Sequence, residues 1–441
     1  MLTFPEDFTW GVATSSFQAE GGARADGKGP SIWDLYVHQP GNVVDGATAD
    51  VAIDSYHRYR DDIRCMQDLG VGAYRFSLSW PRLIPDGSGP LNGPGVDYYN
   101  ALIDGLLEAG ITPFVTLYHW DLPVPLHEQG GWREREMAHV FADYAGRMID
   151  LFGDRVKHWI TFNEIHAFVD QGYGGTSKAP GLDLGHAEVA QVYLHVLLAQ
   201  GLAVRAMRAK RSGLSIGNAE NPRTAVPLIE TEDHVQAASR AFNEQVGFLF
   251  EPAFHGRYPA EMREHPSDIC NGDMETIRCD LDFLGLNIYT GRYVEPVEEA
   301  PGYRFVPMPE YHPAAPTERW LKILPEAMYW GIRTSVEKYA PDEIYIMESG
   351  FPLPEQDPEP EGADLPRMTY LRPYLQNMHR AVQEGYPVRG YFYWSLMDNF
   401  EWRSGFTSRF GHYHTDFETL QRSPRRSAKW YSEIIRRNAI C

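Results

Sequence analysis

Short apolar runs alternate along this chain with longer segments whose apolar positions recur every three or four residues. The runs Phe8–Thr14, Val71–Trp80, Ile111–His119, Val156–Asn163, Leu214–Ala219, Leu281–Tyr289, Glu343–Glu348 and Arg389–Leu396 read as strands. Between them, Ser55–Leu69 sets Tyr56, Tyr59, Ile63 and Met66 on one stripe with Asp61 and Asp62 outside it, the pattern of an amphipathic helix. Asp97–Ala109 carries Leu102, Ile103, Leu106 and Leu107, and Gly110 follows as a stop signal. Gln191–Lys210 and Leu371–Glu384 read the same way. Eight strands, most of them separated by helix-length segments, predict parallel β/α units and an α/β fold, a (β/α)8 barrel spanning residues 1–441. A doubly wound open sheet shares that periodicity. No GxGxxG follows the first strand, however, and no GxxxxGK precedes a Ser or Thr, so its nucleotide-binding versions lose support.

Two segments interrupt the alternation. Residues 294–316 are rich in Pro, Glu and Tyr, and residues 351–366 are acidic and Pro-rich. Each follows a strand, the sixth and the seventh, and loops in that place open on the catalytic rim of a barrel. They read as rim loops, because the composition does not change on either side as it would around a linker.

Composition narrows the partners. With 40 Lys and Arg against 60 Asp and Glu, the net charge is −20. Such a surface repels phosphate backbones and anionic lipid, so neither a nucleic-acid nor a membrane partner is expected. The start lacks the basic and apolar regions of a secretion leader, and no run reaches the roughly 18 apolar residues of a membrane span. Four scattered cysteines (Cys65, Cys270, Cys279, Cys441) form no CxxC pair and no metal-ligand spacing, and Cys65 reads as a small apolar filler. The expectation is a soluble cytoplasmic protein with reduced thiols, no structural metal and no cofactor. Whether copies of the chain assemble is left open.

Polar residues stand where strands should be apolar. In Val71–Trp80, Tyr74, Phe76, Leu78 and Trp80 share the face suited to helices, which turns Arg75, Ser77 and Ser79 inward. A buried arginine needs a carboxylate, whether in a structural ion pair or beside a catalytic one. The third strand ends at His119, the fourth at Asn163 and Glu164, the sixth at Asn287 and Tyr289, and the seventh at Glu348. One terminal carboxylate is commonly a helix cap or a solvated loop residue. Polar ends on several strands point instead to barrel chemistry, which is assembled there. Glu164 and Glu348 can face one pocket, as glycoside hydrolysis requires. Carboxyls about 5–5.5 Å apart serve a retaining reaction, and a wider gap leaves room for an inverting water. Arg75 and Tyr289 beside Glu348 would favour its ionised form, while Glu164 would need to hold a proton.

With these residues in view, the whole chain resembles glycoside hydrolase family 1, the β-glucosidase family. The blocks FTWGVATSSFQAEG, HRYRDDIRCMQDLGVGAYRFSLSWPRLIPDG, TLYHWDLP, WITFNE, FLGLNIY, YFYWSLMDNFEW and RFGHYHTDFET occur in family order. The resemblance implies a retaining mechanism with Glu164 as acid/base and Glu348 as nucleophile. It implies that Gln18, His119, Asn163, Glu401 and Trp402 bind the non-reducing sugar, with Trp394 as the floor beneath it. Asn287 and Tyr289 match neighbours of the nucleophile, and Trp320 a platform on the leaving-group side. Sugars carry hydroxyls at their edges and C–H bonds on their faces, which suits polar acceptors and an indole respectively. Glu164 is intact, unlike the glutamine of plant thioglucosidases, and Glu401 would repel a sugar phosphate, so unphosphorylated glucosides, fucosides or galactosides are favoured.

Ile165, where the family usually has Pro, Met347 and Ser349 around Glu348, and Lys178, where His is common, are departures. They bear on rate, sugar preference and the balance of hydrolysis against transglycosylation. The expected function is a retaining exo-β-glycosidase, a β-glucosidase acting on small-molecule β-glycosides. Two other readings are a metal-dependent hydrolase using His119, Asp121 and His166, and a sugar-binding protein without turnover.

Overall fold

The structure, a computed structural model, describes residues 1–259, 264–354 and 364–440. Eight parallel strands close a barrel: β1 (Thr9–Ala13), β2 (Ala73–Ser77), β3 (Thr112–Tyr118), β4 (His158–Asn163), β5 (Ser215–Glu220), β6 (Phe283–Asn287), β7 (Ile344–Glu348) and β8 (Val388–Trp394). Each pairs with its neighbour in sequence, and β8 returns to β1 through Gly390 opposite Thr9. The principal helices that follow them in turn are α1 (Ser55–Leu69), α2 (Gly93–Glu108), α3 (Met137–Phe152), α4 (His186–Lys210), α5 (Glu232–Phe250), α6 (Glu326–Tyr339), α7 (Leu365–Gln383) and α8 (Arg426–Arg437).

All eight expected strands form, with ends shifted by a few residues. The largest difference is Trp80, which lies not in β2 but in a helical turn, Trp80–Leu83, where its ring stacks on Tyr144 of α3 at 4.3 Å. Pro81 stands at the start of that turn, where its missing N–H leaves no intrahelical bond unmade. The α1 stripe is buried through Tyr56, Ile63, Met66 and Leu69, and Gly70 closes the helix at φ +80. Its neighbour Cys65 is partly buried against the core as expected, and Cys441 lies outside the described residues. On composition α4 is long and apolar enough to cross a membrane, but here it packs on α3 with much of its length buried.

The loop expected over 294–316 carries strands. Arg292–Pro296 and Tyr303–Phe305 form a three-stranded sheet with Ala225–Pro227, so two neighbouring barrel connections pair with each other. Alternation of Tyr293 and Val294 within a short run was the overlooked strand signal. Of the expected loop over 351–366, residues 355–363 lie outside the described residues.

The barrel interior changes character along its axis. Its lower part is aromatic: Phe114 stacks on His158 at 4.1 Å and meets Phe392 at 4.9 Å and Tyr345 at 5.4 Å. Gly11 is required there, since a Cβ at that position would fall 2.4 Å from the Phe392 ring. Above this plug the inward residues turn polar, beginning with Arg75.

Candidate active site

Arg75 is 1% exposed and reaches three other strands. Its guanidinium donates to Thr116 of β3 (3.3 Å), to Asn163 Oδ1 of β4 (2.6 Å), and to the Met347 carbonyl (3.2 Å) and Glu348 Oε1 (2.6 Å) of β7. The planar fork satisfies several acceptors at once, which an ammonium would do less well. The buried arginine is in an ion pair, and its partner is Glu348.

Strand register is irregular at both carboxylate-bearing ends. The β4–β5 pairing shifts between Ile160 and Asn163, and the β7–β6 pairing shifts between Ile346 and Glu348, which faces Asn287. Such irregularities re-aim side chains at barrel rims. Glu164 follows at φ +46, ψ 68, left-handed backbone that a non-glycine residue holds only under constraint.

A cavity of about 550 Å³ opens above these strand ends. Glu164, Glu348, His119, Asn163, Tyr289, Trp320, Trp394, Glu401 and Trp402 line it, so nine residues singled out in the sequence converge. Arg75, Asn287 and Gln18 stand behind that lining, each almost fully buried. The Gln18 amide donates to the Phe400 carbonyl (2.9 Å) and Glu401 Oε2 (3.2 Å), and so holds Glu401 in place. Trp394 lies 6.0 Å from the His119 ring at 24°, and Trp402 is stacked on Phe17. Trp320, 54% exposed, stands at the mouth edge-on to Tyr289, with its indole N–H on Glu318 at 2.7 Å.

The two carboxyls have different surroundings. Glu348 takes Arg75 on one oxygen and the Tyr289 hydroxyl on the other at 2.9 Å. Glu164 has one neutral donor, Asn287 Nδ2 at 2.9 Å, and its carboxyl is pushed up to about 7, by burial first and by the Glu348 charge second. Burial, then Arg75 and Lys178, hold His119 well below the usual histidine range, so its ring is neutral where it meets Asn163 at 3.1 Å. Glu401 is pushed up to about 8, by burial and then by the Glu318 charge.

Sequence reasoning missed several parts of this site. Glu318 lies on an irregular segment and gave no signal. The Lys178 ammonium sits 3.7 Å over the Trp120 ring, and burial draws it down to about 8 against the pull of Glu164 and Glu401. Lys178 had been noticed only as a departure from the family. The residues of the metal-site reading hold separate partners: His119 meets Asn163, Asp121 accepts from Ser16 (3.2 Å), and His166 meets Glu220 (3.2 Å). Among the described residues no group of three or more His, Cys, Asp or Glu is placed to hold a metal.

Comparison with known proteins agrees with this geometry. The sequence pattern of Glycosyl hydrolase family 1 matches residues 1–440. The chain is 42% identical to a 1,4-beta-D-glucan glucohydrolase of Thermotoga neapolitana, over 100% of both chains. It is likewise 42% identical to Beta-glucosidase A of Thermotoga maritima, covering 99% of this chain and 98% of the relative. Among solved structures, the beta-glucosidase from Thermotoga maritima in complex with glucoimidazole superposes with a TM-score of 0.91 at 39% identity, with 100% of both chains covered.

Proposed function

The chain belongs to glycosyl hydrolase family 1, and we propose that Glu348 is the nucleophile and Glu164 the acid/base of its reaction. The protein is a retaining β-glucosidase, a glycosyl hydrolase whose substrates are small β-glycosides. In the first step a Glu348 oxygen attacks the anomeric carbon while Glu164 gives its proton to the departing glycosidic oxygen. The bond to the leaving alcohol breaks, and a glycosyl ester of Glu348 forms. Glu164, now ionised, takes a proton from water. The water oxygen displaces Glu348 from the same carbon, and the two inversions together leave the configuration unchanged.

One observation carries this assignment: two carboxyls face a single cavity, one held by a cation and a phenol, the other buried on one neutral amide. The first set suits an anionic attacker and the second an uncharged donor. Around them His119, Glu401 and Gln18 suit the sugar's hydroxyls, Trp394 its apolar face and Trp320 the leaving group. A working life without nucleic acid or membrane is proposed on the charge of −20. A cytoplasmic location is proposed on the free thiols of Cys65, Cys270 and Cys279.

The test is a panel of chromogenic β-glycosides followed by NMR. Release of the aglycone with the β anomer as the first-formed sugar is expected. A first-formed α anomer would overturn the double displacement, and sugar binding without release would overturn the assignment of catalysis to this pair.

A further inference from the structure

We infer that Glu220, at the end of β5, is a positioning residue that aims Glu164 by tying down the turn after β4. The inference rests on the reading of Glu164 as acid/base. The left-handed backbone of Glu164 persists only where its surroundings fix it. The neighbouring strand supplies two ties. The Glu164 N–H donates to the Ala219 carbonyl at 2.7 Å, and the Ile165 N–H donates to Glu220 Oε1 at 2.6 Å. Ile165 opens the short helix Ile165–Phe168, where a backbone N–H has no intrahelical acceptor. A proline there would need no acceptor, and its ring would set φ by itself. Isoleucine does neither, and Glu220 answers for both.

The other Glu220 oxygen lies 3.2 Å from His166 Nδ1. Burial holds the His166 ring well below its usual range, so the ring is neutral where it meets Glu220. The His166 side chain lines the cavity next to Glu164. One carboxyl thereby holds both residues that follow the proton donor in the chain. Glu220 is itself 1% exposed, and burial first, then the Glu164 charge, push its carboxyl well above the usual range against the Ile165 N–H and Arg223. Placing a carboxyl there is costly unless its hydrogen bonds are used.

A tether with only a structural role would affect every substrate alike, whereas a residue that aims the acid matters most when the leaving group needs a proton. The experiment compares kcat/KM for cellobiose with that for 2,4-dinitrophenyl β-D-glucoside, whose leaving group departs without one. E220M, of similar length but without an acceptor, is expected to lose about tenfold to a hundredfold on cellobiose and to stay within about threefold on the dinitrophenyl glucoside. Adding I165P to E220M is expected to recover most of the loss, and E220Q, which keeps an acceptor for Ile165, to stay near the parent enzyme. Equal loss on both substrates, no loss, or E220Q falling as far as E220M overturns the inference. Should E220M not fold, E220D shortens the reach by one methylene and gives the same comparison with the same readings. E164A is the control for the premise: if it shows no leaving-group dependence, the acid/base assignment falls, whatever Glu220 does.

Discussion

The ends of β4 and β7 carry the same side chain in two settings. At the β7 end the carboxyl of Glu348 lies on the strand itself, held by Arg75 and Tyr289 with both oxygens engaged. At the β4 end the carboxyl of Glu164 stands one residue beyond the strand, on left-handed backbone, with a single side-chain donor. The Glu348 end is fixed through its side chain. The Glu164 end is fixed through its main chain, by Ala219 and Glu220, which leaves the carboxyl few donors that would favour its charge. A group that must stay anionic gains from donors, whereas one that must carry a proton gains from burial beside a like charge. The lesson is that a retaining pair can be built from identical residues by choosing which part of each residue the protein grips.

The contrast can be broken most severely at Glu348. E348G is expected to lose turnover of an aryl β-glucoside on the order of 10⁶-fold, and added azide should attack the anomeric carbon from the opposite face to give an inverted product detectable by NMR. Unchanged turnover would remove Glu348 from its role. Next comes R75M, which strands Glu348 and Asn163 in a buried site. It should cost about 3–5 kcal/mol of folding stability in a denaturant titration, as breaking a buried pair does, and activity should fall with it.

Y289F sharpens the comparison by deleting one donor to Glu348 and nothing else. A hydrogen bond to a charged group contributes about 1.5–3 kcal/mol, so kcat/KM should fall about tenfold to a hundredfold. A loss confined to thermal stability would place Tyr289 outside the chemistry.

The smallest effect is expected on the Glu164 side. With the Glu164 carboxyl pushed up to about 7 and its proposed role that of the acid, kcat/KM should decline as pH rises through about 7. The Lys178 cation favours ionised Glu164 and ionised Glu401. In K178M both carboxyls should hold their protons to higher pH, moving the alkaline limb upward by roughly one unit or less. A limb that moves down contradicts the charge assignment.

Much of this was legible in the chain. The strand ends Asn163–Glu164, Asn287–Tyr289 and Glu348 could be read because polar residues broke an apolar alternation at the point where a barrel gathers its chemistry. Arg75 was legible as a buried cation in want of a carboxylate. The strands after β6 and the helical turn at Trp80 depart from the sequence reading, since three-residue pairings and a four-residue turn leave little periodic trace. Glu318, Glu220 and the placement of Lys178 were invisible, because each acts on a partner that lies far off in sequence.

The sequence by itself determined eight strands in β/α alternation and the polar residues at their ends, since these follow from local alternation and residue type. Only the tertiary structure chose the surroundings of each carboxyl. That choice depends on burial and on groups brought from elsewhere: Arg75 reaches Glu348 across 273 residues, and Asn287 reaches Glu164 across 123. Proton affinity is a property of the space around a group, and folding alone assembles that space.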